Sequence, residues 1–406
     1  MRNFCHTLTL MALWILALGA FTSVSLMALF HVFILIPGVY FLIDEIKTSR
    51  FHLKKSTWSL LGMIVAIGLS VLANLDQLGS DAWDHFFKAK YFILAILSIF
   101  AFRAWFNEKA TASKLRWLVG AFFLSTTLAT TSGLVGLFHG FNPLKMKQAC
   151  HAERACGLFG MYMTYGYGIS LFSVLMTGVL LYIGQFKTIV SRPWAILVWL
   201  INLLGTFFAY ARGGWLGYLA AVPFYFLKGR VKTFCLVIAG LGLASVLIVA
   251  VSPKVQQTLL ERGTSNQQRL AFYETALRAF QENPVFGLGY RNFGPNVTEI
   301  KERYDIAYPN FASHAHNNFL EHLATTGFIG AIFFLLFHFF WLYETYTRDD
   351  LYGKIVFPFV VSFCVSGLFQ YTFGDGENLF LILGIYALGH VDFSNTRLGS
   401  QSLSQK

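Results

Sequence analysis

The sequence predicts an all-α protein, a polytopic membrane bundle of about twelve transmembrane helices with one long, partly helical outer loop. Three observations predict it. Of 406 residues, 56% are hydrophobic and only 13% are charged, whereas a soluble domain averages about 25% charged. The mean hydropathy is +0.56, and phenylalanine alone occurs 43 times. Apolar runs long enough to cross a bilayer recur between short polar breaks. The same figures argue against a soluble globular protein, a disordered chain, a coiled coil and a small disulfide scaffold.

The runs lie near residues 8–22, 25–43, 57–74, 91–107, 116–138, 159–184, 194–210, 213–227, 233–252, 327–344, 355–372 and 377–391. The first two are short and tightly joined. No small-residue cleavage site follows the first, so it reads as a retained helix. The chain therefore divides into about nine spans over 1–252, a loop domain over 253–326, three spans over 327–391, and a tail over 392–406.

Charge sets the expected orientation. Alternate loops and the two termini hold 18 of the 31 basic residues, among them Lys47, Arg50, Lys54, Lys55, Arg103, Lys228, Arg230 and Arg348. The short loops on the other side carry only Lys88, Lys90, Lys145, Lys147, Arg154 and Arg212. Positive charge marks the cytoplasmic side, which places both termini inside and the long loop outside. Much of the net charge of +11 is then a topology signal, and nucleic acid is not needed to explain it. Of the five cysteines, Cys5, Cys235 and Cys364 read as apolar fillers. Cys150 and Cys156 share an outer loop in which a disulfide is permitted but not required.

The 74-residue stretch 253–326 is long for a structureless loop, and function is a frequent reason for such length. Ser265 and Gln268 form a capping-box pattern, and Asn283-Pro284 is a stop signal, so 265–282 reads as a helix. Leu270, Tyr273, Leu277 and Phe280 recur along it at helical spacing. Arg269 projects close to Phe280, and Arg278 sits on the opposite rim. A helix lying over the membrane face and an arginine simply exposed near headgroups both fit this pattern. Gly287-Leu288-Gly289 reads as a turn, with Arg291 in solvent or within reach of an anion.

Three histidines follow, His314, His316 and His322. If the segment is helical, His316, Leu320, Leu323 and Gly327 share one face. That puts an imidazole at the outer mouth of the bundle, where it can exchange a proton. A satisfied core histidine is the competing reading. No acidic or thiol partner at ligand spacing supports a metal. Arg212 stands in the break Tyr210-Ala211-Arg212-Gly213-Gly214 between two spans. A charge at membrane depth costs about 2.5–3.5 kcal/mol on insertion scales, so it needs a partner or a role, unless it snorkels to the headgroups. Arg154 shares this ambiguity. Guanidinium forks match phosphate oxygens, so the implied ligand is a phosphate on a membrane-embedded molecule, with a proton acceptor nearby.

These residues carry a family resemblance. The Tyr210–Gly214 break, Arg269 in its helix, the turn Asn283–Gly289, and His316-Asn317 followed by Gly327 and Gly330 resemble the O-antigen ligase family. That family sits within the wider group of O-antigen ligases, O-antigen polymerases and protein O-oligosaccharyltransferases. The span plan extends the resemblance over nearly the whole chain, with the specific motifs between about 205 and 335. The resemblance implies a GT-C-like fold and an inverting, metal-independent glycosyltransferase needing no cofactor. It implies O-antigen on undecaprenyl pyrophosphate as donor and the lipid A core as acceptor, joined at the periplasmic face of a bacterial inner membrane. Carried over by position, His316 is the base, with His314 its rival, and Arg212 and Arg269 hold the pyrophosphate. Arg154, Arg291 and Asn317 are weaker candidates for the same contact. A polymerase, a protein oligosaccharyltransferase and a lipid-linked sugar flippase are the alternatives.

Overall fold

The computed structural model describes residues 1–228, 230–260, 263–307 and 313–393. Its helices are α1 (Arg2–Gly19), α2 (Val24–Lys47), α3 (Lys55–Ala73), α4 (Lys90–Lys109), α5 (Ala112–His139), α6 (Tyr162–Leu181), α7 (Arg192–Phe208) and α8 (Arg212–Ala221). They continue with α9 (Val231–Val251), α10 (Pro253–Leu260), α11 (Gly263–Glu282), α12 (Phe293–Arg303), α13 (Asn318–Thr347), α14 (Leu351–Gly367) and α15 (Gly376–Leu388). Sheet structure among the described residues is a single ribbon pairing Phe141–Asn142 with Lys147–Gln148.

All twelve apolar runs contain a helix. Among the described residues, seven stretches are long and apolar enough to cross a membrane: α2, α3, Leu75–Lys109 (which ends in α4), α5, α6, α9 and α13. Helices α7, α14 and α15 are apolar but shorter. A lipid environment requires each crossing segment to satisfy its own backbone, which a helix does internally. The chain is a multi-pass, all-helical membrane protein. Its principal packings are α3 on α13, α1 on α2, α2 on α4, α6 on α7 and α8 on α14. Helix α9 packs on the preceding 3-10 turn, Val222–Phe226, and on α10, with no buried residue along its length.

Three expectations change in detail. The eighth run is a helix only to Ala221 and continues as a 3-10 turn, Val222–Phe226, because Pro223 has no N–H to give the ladder. Helix α11 begins at Gly263, so Ser265 lies in its first turn and does not cap it. Its buried face is Phe272, Thr275, Ala276 and Ala279, while Leu270 and Leu277 are exposed. Small residues let α11 press against α12 and α13 around Phe293, Val297 and Ile300, which turns the leucines outward.

The loop domain is locked to the bundle backbone to backbone. Gly287 and Gly327 both have positive φ, +67° and +63°. A Cβ on Gly287 would overlap the Thr325 backbone, and one on Gly327 would overlap that of Val285. Leu288 N–H donates to the Ala324 carbonyl at 3.0 Å, and Phe328 N–H to that of Pro284 at 2.8 Å. The kink at Gly327 interrupts α13 and frees these groups to pair across the contact. From α3, Ser70 Oγ donates to the Thr325 carbonyl at 2.7 Å and Asn74 Nδ2 to that of Gly287 at 3.0 Å. The turn 283–289 and the Gly327 kink, distant in sequence, are one joint.

Gly287→Ala should therefore cost more than the roughly 1–3 kcal/mol of an unfavourable φ alone, read as a lowered melting temperature in detergent. Gly240→Ala on α9, where an added Cβ meets nothing within 4 Å, should leave that temperature unchanged or raise it. Equal melting of the two variants would contradict the joint.

Candidate active site at the loop end of the bundle

Four segments meet where the loop domain sits on the bundle. The first is the loop before α6. Cys150 and Cys156 form a disulfide, the Ala155 N–H donates to the Phe208 carbonyl at 2.9 Å, and Asn142 Nδ2 donates to that of Gly157 at 2.8 Å. Thus pinned, Arg154 is buried with its guanidinium 4.2 Å from the centre of the Tyr162 ring, a cation–π contact.

The second is the Tyr210–Gly214 break. Tyr210 has φ +48°, which turns the chain sharply so that α8 begins at Arg212. A Cβ on Gly213 would overlap the Tyr167 hydroxyl, and one on Gly214 would lie 3.1 Å from the Gly166 carbonyl oxygen and from Ser170 Oγ. The two glycines thus let the start of α8 press onto α6 and set Arg212 beside Tyr167. Arg212 Nη2 donates to Asn266 Oδ1 of α11 at 2.9 Å.

The third is α11 itself. Arg212 lies within electrostatic reach of both Arg269 and Arg154, and Tyr167 within reach of Arg269, Arg212, Tyr273 and Tyr162. Tyr273, one turn beyond Arg269, donates from its hydroxyl to the Leu368 carbonyl at 2.9 Å and towards that of His316 at 3.4 Å.

The fourth is the segment before α13. His316 is not on the helix; it has φ +50°, and α13 starts at Asn318. The expected shared face with Leu320, Leu323 and Gly327 is therefore replaced by a turn. Asn317 is the reason. Its Oδ1 accepts from the Leu320 N–H at 3.0 Å as an N-cap, and a cap residue has non-helical backbone. Its Nδ2 donates to the Leu368 carbonyl at 3.2 Å, so Asn317 serves structure at both ends of its amide.

His316 Nδ1 lies 2.8 Å from Gln370 Oε1. Gln370 also reaches His314 Nε2 at 3.3 Å, and the two imidazole centres are 4.2 Å apart. Burial lowers the pKa of His316 to about 4; the Arg269 charge also lowers it, and the Gln370 bond opposes them. Burial, then the His316 charge, lowers His314 to about 3. Both imidazoles are neutral at pH 7. Arg291, with φ +64°, lies within electrostatic reach of His314 and of Tyr371, Tyr290, Glu321 and Tyr91.

The structure thus gathers Arg154, Arg212, Arg269 and His316 around Tyr167 and Tyr273, with His314 and Arg291 adjoining. None of the four arginines forms a salt bridge among the described residues, and none of these residues forms a cluster of three or more metal-ligating side chains. Unpaired guanidinium groups beside a neutral imidazole can bind an oxyanion and accept a proton. Sequence reasoning missed Gln370 and Tyr167. The only signal for either is a polar side chain in an apolar surrounding, an amide in Leu368-Phe369-Gln370-Tyr371 and a phenol flanked by Gly166 and Gly168.

No curated protein matches the chain. The family model described as O-antigen ligase matches residues 195–335, from within α7 into α13, and so covers Arg212, Arg269, Arg291, His314 and His316. Over this stretch the chain is similar to the O-antigen ligase family.

Proposed function

We propose that this protein is an inverting glycosyltransferase that moves an O-antigen glycan from undecaprenyl pyrophosphate to the lipid A core at the periplasmic face of the inner membrane. One observation carries the reading: unpaired arginines and a neutral histidine converge at one end of a membrane bundle. The match over residues 195–335 supports transfer of the ligase or polymerase type. The Cys150–Cys156 disulfide at this end fits an oxidising compartment, and the basic loops lie at the other end, which fits the cytoplasm.

In this mechanism Arg212 and Arg269 hold the diphosphate, with Arg154 behind them. The acceptor oxygen bonds to the anomeric carbon from the face opposite the leaving group, inverting its configuration. The bond from that carbon to the diphosphate oxygen breaks, and the electron pair leaves with the lipid diphosphate, whose growing charge the guanidinium groups offset. The hydroxyl proton passes to His316 and then to solvent.

His316→Ala should lower transfer by about 10²–10⁴-fold while the protein still folds, measured with lipid-linked donor and lipid A core acceptor. Near-normal transfer would remove His316 from the chemistry. The base works only when deprotonated, so kcat/KM should hold as pH falls through 6 and be lost near pH 4, the pKa to which burial lowers His316. An acid limb near the free-histidine value of about 6.5 would contradict this. Arg269→Lys keeps the charge but loses the fork, and should cost about tenfold or more; full retention would reduce Arg269 to a point charge. In cells lacking the protein, bare core with long lipid-linked glycan retained indicates a ligase, and core capped with single repeats indicates a polymerase.

A further inference from the structure

A neutral imidazole offers one lone pair, and its hydrogen-bond partners decide which nitrogen holds it. The Gln370 oxygen only accepts, so His316 Nδ1, 2.8 Å away, is the donor. The lone pair is left on Nε2, which among the described residues meets the Ser313 hydroxyl, at 3.4 Å. Gln370 is 5% exposed, in the turn between α14 and α15, and its Nε2 lies 3.3 Å from His314 Nε2.

Rotating this amide by half a turn exchanges its two ends. His314 would then be well served: its Nε2–H would donate to the Gln370 oxygen, and its Nδ1 would accept the His316 backbone N–H, 3.2 Å away. The amide NH2 would now face His316 Nδ1, and the His316 proton would have to sit on Nε2. In that state His316 presents a donor to the substrate and has no lone pair there to take a proton.

We propose that Gln370 is a positioning residue that fixes the tautomer of His316, keeping Nε2 open to accept the proton of the incoming hydroxyl, against the pull of His314 towards the rotated amide. This rests on the reading of His316 as the base. When Nε2 takes the proton, the resulting imidazolium keeps its Nδ1–H on the Gln370 oxygen, and the Nε2 proton then leaves to solvent. No other proton moves. The amide carries no charge, so it orients the ring without adding the basicity that a carboxylate partner would.

The test is steady-state transfer by the purified full-length protein across pH, with undecaprenyl-pyrophosphate-linked glycan and lipid A core, for wild type, Gln370→Leu, Gln370→Glu and His316→Ala. Gln370→Leu should lower kcat about tenfold or more, with KM for both substrates within about twofold. Gln370→Glu still accepts from Nδ1, so it should keep more activity than the leucine variant. Its charge strengthens the base, so the acid limb of kcat/KM should move up by about one pH unit or more. Wild-type kcat in Gln370→Leu, or a Gln370→Glu profile superimposable on wild type, would overturn the assignment. If Gln370→Leu does not fold, the Gln370→Glu limb decides alone, since a packing defect lowers activity without moving the limb. Activity retained in His316→Ala would bring down the base reading itself. An inactive His316→Ala beside wild-type behaviour at position 370 would strike only the tautomer.

Discussion

Positive charge without a salt-bridge partner among the described residues, at the mouth of the bundle, is the constraint on which the proposed site depends. Elsewhere the protein pairs many of its arginines. At the opposite end Arg2 meets Asp44 and Glu108, Arg50 meets Asp44, Arg103 meets Glu45 and Arg348 meets Asp350. Within the loop domain Arg303 meets Glu282 and Glu299. At the mouth, Arg154 has an aromatic face and Arg212 an amide oxygen. Neutral dipoles hold such groups in place without cancelling their charge. Like charges gathered in a partly desolvated site repel, and an anion placed among them relieves that repulsion.

Holding the charges near the imidazole is a problem of tying three chain segments together. The Leu368 carbonyl is the knot, since it accepts from Tyr273 of α11 and from Asn317 ahead of α13. Leu368 itself leads directly into Gln370. A shift of α11 that moved Arg269 would also strain the cap of α13 and the turn that holds the His316 ring. The glycine joint at 287 and 327 fixes the other end of the loop domain against α13 and α3. Rigidity here comes from backbone carbonyls and cap bonds, which tolerate less displacement than apolar packing does.

Much of this was legible in the sequence. Hydrophobic runs of bilayer length are a one-dimensional signal, and so is an arginine standing in a break barely longer than itself; Arg212 and the spans could be read from them. Arg269 and His316 needed a family pattern, because only the fold brings residues 212, 269 and 316 together. Where the reading went astray, a local rule was outvoted. A helix through His316 would put Leu320 and Leu323 on its face at the right spacing, but Asn317 is the N-cap and the helix starts only at Asn318. The apolar stripe of α11 marks an amphipathic helix, but close packing on α12 and α13 favours alanine and leaves Leu270 and Leu277 outside. Gln370 had no signal beyond being an amide in an apolar stretch. Its importance lies wholly in two distances to residues more than fifty positions earlier.

In the proposed mechanism the charges and the base oppose each other at rest and cooperate during reaction. Arg269 helps keep His316 neutral, so the imidazole is ready to accept a proton, but the same field makes the imidazolium costly to form. A diphosphate bound as proposed would change that balance. Its negative charge offsets the field of Arg269 and Arg212 at the ring, and the imidazolium becomes easier to form as the donor settles. As the leaving group separates, its charge grows, and the guanidinium groups and the newly protonated imidazole both face an anion. On the proposed mechanism the donor therefore strengthens the base that activates the acceptor. An acceptor hydroxyl arriving without a donor meets a weak base and no leaving group, and this ordering needs no moving part beyond the substrate itself.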